Sequence, residues 1–543
     1  MVRSDVCRPE CGCSNEVPSN MALTDTRTES GTEATEAAHS AVPAPVSLLG
    51  SGDHKALGLV YVVAALLFGA VGWIISALIG AHSLGSGTFL SESTADGFLS
   101  GSRIGLVLLV GVPVMLGLAT YIVPLQVGAN TVAFPRAAAA ALWTWVLSGG
   151  LLIVANAIDG GLDGGRERAV DLGLLAIAGL CVALVLGAVC VITTAIALRT
   201  PGMRLDRVPL FTWAFIVGGS VWVLTLPILL GNVVLIYVDH HYGAATSFGS
   251  AGSQWAQVSW IASQPQVYAL LIPVLGLVAD VIATIAGVRQ PNRNVLLVGI
   301  GAFGVLSIGA WAQTAFYPEA RNEPLWAGMV LLIVLPTLAV AGGVGAVLRS
   351  GKPPIKSPFL LSIVALLFVL LAVLVGALAV LTPLELRDSS AFNTGQFAAV
   401  LAAVIAGAAA GVTYWAPKMT GRIGTDAPAK LNVLVILGGG ALASLPLLVL
   451  GFSSRFTVLA DAGDALEVVA ILGDGLLALG VILTLLTLLA ATRGTPAGED
   501  PWGTGQSLEW ACASPPPLAN FGELPAIVSP QPLLDAADSS KGA

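Results

Sequence analysis

Residues 260–268 read Trp-Ile-Ala-Ser-Gln-Pro-Gln-Val-Tyr and residues 311–316 read Trp-Ala-Gln-Thr-Ala-Phe, each beside a long apolar run. Polar side chains in such runs are where a membrane protein keeps its chemistry. Gln264, Gln266, Gln313 and Thr314 supply amides and a hydroxyl. These groups exchange hydrogen bonds, do not titrate near neutral pH and are poor ligands for transition metals. Pro265 predicts a kink, and Trp260 and Tyr268 supply bulk around it. The stretch has the frame of a site whose own groups can only hydrogen-bond.

Stronger ligands and titratable groups lie elsewhere. Of the five histidines, His39 and His54 precede the first apolar run, His82 ends it, and His240 and His241 fall beside Asp239 on the expected loop after the fifth. Cys181 and Cys190 are nine residues apart on one helix and point to opposite faces, which reads as core packing rather than a shared ligand site. Cys7, Cys11 and Cys13 lie in a polar tail with no fourth ligand in view. Asp280, Asp474 and Arg103 fall within apolar runs and are expected to reach headgroups or one another. No chain of acids crosses the membrane.

The elements that must position these residues follow from composition. The chain has 543 residues, is 56% hydrophobic and only 10% charged. That excludes an ordinary soluble domain, and no basic patch points to nucleic acid. Twelve runs reach the roughly 20 residues needed to span a bilayer: about 57–81, 101–125, 139–158, 171–198, 211–237, 264–288, 294–316, 325–348, 358–382, 393–416, 430–451 and 466–491. Backbone in lipid must satisfy its own hydrogen bonds, so an all-α bundle is predicted, its many Gly and Ala residues permitting close packing. Residues 1–54 read as a disordered tail with Met21 as an alternative start, 55–495 as the membrane domain and 496–543 as a second tail. One set of alternate loops carries Lys55, Arg136, Arg199, Arg204, Arg207, Arg289, Arg293, Arg349, Lys352, Lys356, Lys418, Arg422, Lys430 and Arg493, and the other only Arg166, Arg168, Arg321, Arg387 and Arg455. That bias predicts both termini in the cytoplasm.

Three strings are too specific for generic membrane sequence: PLQVGANTVAFPR (124–136), YWAPKMTGR (414–422) and DPWGTGQSLEWACASPPP, with Asn520 and Phe521 following. With twelve spans, they resemble subunit I of the haem–copper terminal oxidases, of the cytochrome c oxidase and quinol oxidase type, from about residue 55 to 527. The resemblance implies a twelve-helix bundle in three pseudo-symmetric arcs, lodged in a bacterial plasma membrane. It also implies haem and copper, held by six histidines.

Counting from the strings puts other residues at all six ligand positions. Ser102 and Phe397 stand for two haem ligands and Gly395 for a third, while Gln264, Gln313 and Thr314 replace the three copper ligands. Residues of the family's proton paths are replaced by Thr131, Gln266 and Val340, none of which relays a proton by titrating. Tyr268 matches the family's active-site tyrosine, but its covalent histidine partner would be Gln264. Asp388 matches an acid near a structural metal site, with Arg387 in place of the histidine beside it, and Arg455 alone lies near the expected propionate-binding arginines.

Three functions are compatible with this pattern. The first is a catalytically silent accessory, assembly or regulatory subunit of the respiratory chain, with no cofactor and with the bilayer and other respiratory subunits as partners. The second is the family's own oxygen-reducing activity, which the missing ligands disfavour. The third is a protein that binds or transports a quinone, lipid or small solute in the spaces where the family holds haem.

Overall fold

A computed structural model describes residues 51–84, 102–158, 160–161, 164–242, 258, 264–312, 323–387 and 389–542. The N-terminal tail with Cys7, Cys11 and Cys13 lies outside the described residues, as do Trp260, Gln313, Thr314 and Asp388.

Twelve helices are long and apolar enough to cross a membrane, as the hydropathy predicted. They are α1 (His54–Leu84), α2 (Ser102–Val127), α3 (Pro135–Ala157), α4 (Glu167–Ala197), α5 (Leu210–Tyr242), α6 (Gln264–Ala286), α7 (Arg293–Ala312), α8 (Pro324–Ser350), α9 (Ser357–Ala379), α10 (Ser390–Thr420), α11 (Asp426–Leu450) and α12 (Gly463–Ala491). Most sequence neighbours pack side by side, and α12 closes the ring against α1. The apolar stretch of α2 is wholly buried and those of α6 and α10 nearly so, whereas in α1, α3, α5, α11 and α12 more than half is only partly buried or exposed. Every fourth helix, α2, α6 and α10, is therefore internal. Leucines and valines on the outer helices, such as Leu67, Val298 and Leu434, are exposed as a lipid-facing surface requires. Close approach rests on glycine: a Cβ at Gly58 of α1 would meet the Tyr121 amide of α2 at 2.7 Å.

α2 carries a π-helical turn at Leu106–Gly111, all of it buried. At the start of α5 the predicted headgroup role of Asp280 gives way to an internal one. Its carboxylate accepts from the Leu210 amide at 3.1 Å and the Phe211 amide at 2.8 Å, satisfying donors that a helix start leaves without partners. The fifth helix also runs further than expected. His240 and His241 lie in its last turn, not on a loop, and each Nδ1 bonds one oxygen of Asp171 on α4, at 2.8 and 2.7 Å.

The C-terminal segment is not a free tail. Thr495–Pro496 pairs with Arg422–Ile423 as a two-residue ribbon. Beyond it Leu508, Glu509, Trp510 and Asn520 are all buried against the bundle. A last helix, α13 (Pro532–Gly542), is tied down by Arg289, which pairs with Asp535 and Asp538 at 2.8 Å each. This segment caps one end of the bundle. The residues from the basic loops meet it there: Lys55 donates to the Pro517 carbonyl, Arg207 to the Ile527 carbonyl and Lys418 to the Cys512 carbonyl.

Candidate functional site

At the end of the bundle opposite the cap, α2, α10 and α12 begin and α1 finishes. Between them, with α11 behind, is a cavity of about 470 Å³. Ser102 and Phe397, two of the three positions that counting along the sequence matched to haem ligands, both line it. Arg103, Glu467 and Asp474 line it as well. The Arg103 guanidinium donates from Nη2 to Thr394 Oγ1 at 2.7 Å, and the Ser76 hydroxyl donates to Asp474 Oδ2 at 2.7 Å.

Gly395 points elsewhere. A Cβ built on it would lie 2.9 Å from the Leu448 amide nitrogen and 3.0 Å from the Ser444 carbonyl oxygen, so α11 is packed directly on this face of α10. The position that counting along the sequence matched to a haem ligand holds a helix–helix contact with no room for any side chain.

Gln396, between them, was not singled out by sequence. It is buried, and its amide donates to the Ala372 carbonyl at 3.2 Å. A Cβ at Gly376 would sit 2.6 Å from Gln396 Nε2 and 4.0 Å from the Tyr268 hydroxyl, so both side chains converge on that glycine of α9. Tyr268 is buried, with its ring 6.3 Å from that of Phe303 on α7. Gln266 is fully buried and reaches Thr225 Oγ1 at 3.4 Å, while its carbonyl oxygen has no partner among the described residues. Gln264 is half-buried at the start of α6. The three residues of the expected proton paths are spread apart. Gln266 lies on α6, Val340 packs against Gly299 inside the α7–α8 contact, and Thr131 occupies the α2–α3 loop at the capped end.

The capped end holds a second set of buried polar groups. Lys418 is fully buried, and its ammonium donates to the carbonyls of Cys512 at 2.7 Å, Glu499 at 3.2 Å and Ala513 at 3.4 Å, 5.2 Å above the Trp510 ring. Glu509 accepts from Gln126 Nε2 at 3.1 Å, and Gln126 accepts from Thr212 Oγ1 at 2.6 Å. Burial pushes the Glu509 carboxyl up to about 7, against the pull of the Gln126 hydrogen bond. Burial likewise raises the Cys512 thiol. Tyr414 accepts from the Trp510 indole at 2.9 Å and stacks on Trp502. The two strings singled out as too specific for generic membrane sequence, YWAPKMTGR and SLEWACASPPP, thus pack against each other and the bundle.

The sequence profile of the family described as Cytochrome C and Quinol oxidase polypeptide I matches residues 56–473. The chain belongs to the haem–copper oxidase subunit I family. Its similarity to members of that family extends over nearly the full length of each. It is 29% identical to the cytochrome c oxidase subunit 1 of Corynebacterium efficiens, across 89% of this chain and 88% of that protein. It is 29% identical to the probable cytochrome c oxidase subunit 1-alpha of Streptomyces avermitilis, across 90% and 89%. It is 30% identical to a putative subunit 1-beta of Streptomyces coelicolor, across 89% of each.

The described residues that counting along the sequence puts at the family's ligand positions do not fit its metals. Ser102 offers a hydroxyl, Gln264 a neutral amide, and Gly395 and Phe397 no donor at all. Haem iron and copper in proteins are held by imidazole, thiolate, thioether or phenolate ligands, and a serine hydroxyl or a neutral amide is a poor substitute for them. The closed contact at Gly395 is a second, geometric misfit: a ligand side chain there would displace α11.

Proposed function

We propose that this protein is a subunit I homologue without redox centres, acting as an accessory, assembly or regulatory subunit in a bacterial plasma membrane, with both termini in the cytoplasm. The observation that carries this reading is the packing at Gly395. Gly395, matched by sequence to a haem ligand, packs against α11 so closely that no side chain fits there. Two further facts support it. All five histidines of the chain lie in the N-terminal tail or at helix ends: His39 precedes the described residues, His54 opens α1, His82 lies near its end, and His240 and His241 finish α5. The proton-path positions hold Thr131, Gln266 and Val340, which cannot titrate. The capping segment, with its buried lysine and glutamate, forms a dense polar network at the other end of the bundle, which fits a part kept for its structure.

The test is affinity purification in mild detergent, with an absorbance spectrum and identification of associated subunits. The expected result is no Soret or α band and a reproducible set of respiratory-chain partners. Haem recovered in stoichiometric amount, or dioxygen consumption by the same sample, would overturn it.

A further inference from the structure

A scaffold role does not explain the cavity at the uncapped end. Its volume of about 470 Å³ lies within the range of small-molecule sites. Its rim is charged. Arg103 and Asp474 each bond a neutral hydroxyl, and among the described residues no ion pair joins Arg103 to Asp474 or Glu467. Ionisable groups inside a membrane bundle find charged partners or mark a site, because unmatched charge in a low-dielectric setting is costly. The deeper wall is apolar, formed by Trp73, Leu106, Leu401 and Leu447. Past Ser102 and Leu106, which border both spaces, lies a smaller cleft of about 90 Å³ walled by Phe68, Val71, Leu109 and Ile153. Val71 and Ile153 are exposed on the lipid-facing surface.

We propose that this cavity binds the headgroup of a phospholipid bearing a primary amine, of the phosphatidylethanolamine type. The phosphate faces Arg103, which holds it by charge-assisted hydrogen bonds. The ammonium faces Asp474 and Glu467, to which its N–H groups donate. An acyl chain leaves past Ser102 and Leu106 into the apolar cleft. One guanidinium and two carboxylates favour a head with both charges over a purely anionic one. A quaternary amine has no N–H to give the carboxylates, and a quinone brings no cation. The inference rests on the cavity holding no haem, since a macrocycle there would exclude the lipid.

Native mass spectrometry of the delipidated full chain, titrated with phosphatidylethanolamine, phosphatidylcholine or phosphatidylglycerol of matched acyl chains, tests it. Ethanolamine lipid is expected to be retained at least tenfold better than the other two. Arg103→Gln and Asp474→Asn are each expected to lower that retention at least tenfold. Ala398→Trp, which fills the cavity without touching a charge, should abolish it while thermal unfolding shows an intact bundle. Equal retention of the three lipids by the wild-type chain, undiminished retention by Ala398→Trp, or displacement of the lipid by an isoprenoid quinone would overturn the proposal. A spectrum of the same sample separates the two readings. A stoichiometric Soret band defeats both, whereas a haem-free sample without ethanolamine preference defeats this one alone.

Discussion

Asn520 and His54, 466 residues apart in the chain, share a buried hydrogen bond in which the Asn520 amide donates to His54 Nε2 at 3.0 Å. The same amide group donates to the Ala129 carbonyl at 2.8 Å, its oxygen accepts from Lys55 at 3.1 Å, and His54 Nδ1 donates to the Thr120 carbonyl at 3.2 Å. One asparagine side chain therefore ties the C-terminal segment to α1 and to the α2–α3 loop. Asn520→Ala leaves these groups buried without partners and should cost about 1–3 kcal/mol. The check is thermal unfolding in detergent followed by tryptophan fluorescence; an unchanged midpoint would mean that the segment is held by apolar contact alone.

Lys418 should matter in a different way. Its ammonium collects three carbonyls of the capping segment, from Glu499, Cys512 and Ala513. Lys418→Met keeps the length of the side chain and removes every one of those bonds. The expected outcome is release of residues 495–542 from the bundle, seen as rapid cleavage of that segment in limited proteolysis while the twelve helices stay protected.

The cap should also be sensitive to pH through Glu509. Its folded carboxyl titrates at about 7, whereas an unfolded glutamate titrates near about 4.3. Between those values the folded state holds a proton that the unfolded state has lost. The stabilisation is fully present below the unfolded value and is lost as pH rises through the folded one. The span is worth about 3 kcal/mol. Glu509→Gln keeps an acceptor for Gln126 and removes the titration, so its unfolding midpoint should stay level over this range while that of the parent falls.

Gly395→Ala tests the closed ligand position. The added methyl would press on the Leu448 amide and Ser444 carbonyl, both backbone atoms that cannot swing aside. Overpacking of this kind costs about 1–3 kcal/mol. A variant as stable as the parent would show that α11 can yield here, and would remove the main support for a bundle closed around that position.

Twelve spans were legible because each is a long apolar run, and the outer helices needed no more than that. Ser102 and Phe397 were placed separately, by counting from the retained strings along α2 and α10, and both line one cavity. Gln396 was missed because nothing in the sequence says which of three successive residues on α10 faces α9. The cap was read as a tail because its polar residues resemble any solvated stretch. Their partners lie 383 residues away for Glu509 and 94 for Lys418, distances at which sequence pattern carries no signal. His240 and His241 were placed on a loop because helix α5 outruns its hydrophobic stretch, ending where two imidazoles find Asp171.

The π turn at Leu106–Gly111 sits between Arg103 and the rest of α2. A wide turn of this kind absorbs one residue more than an α-helix needs. Deleting that residue would wind the leading stretch of the helix through about 100°. Arg103 would swing off Thr394 and out of the cavity rim, while Pro113 and everything beyond it stayed in place. The angular phase of this one turn thus decides whether a guanidinium borders the cavity, so losing or gaining a single codon there changes the charge on the rim without altering the bundle's architecture.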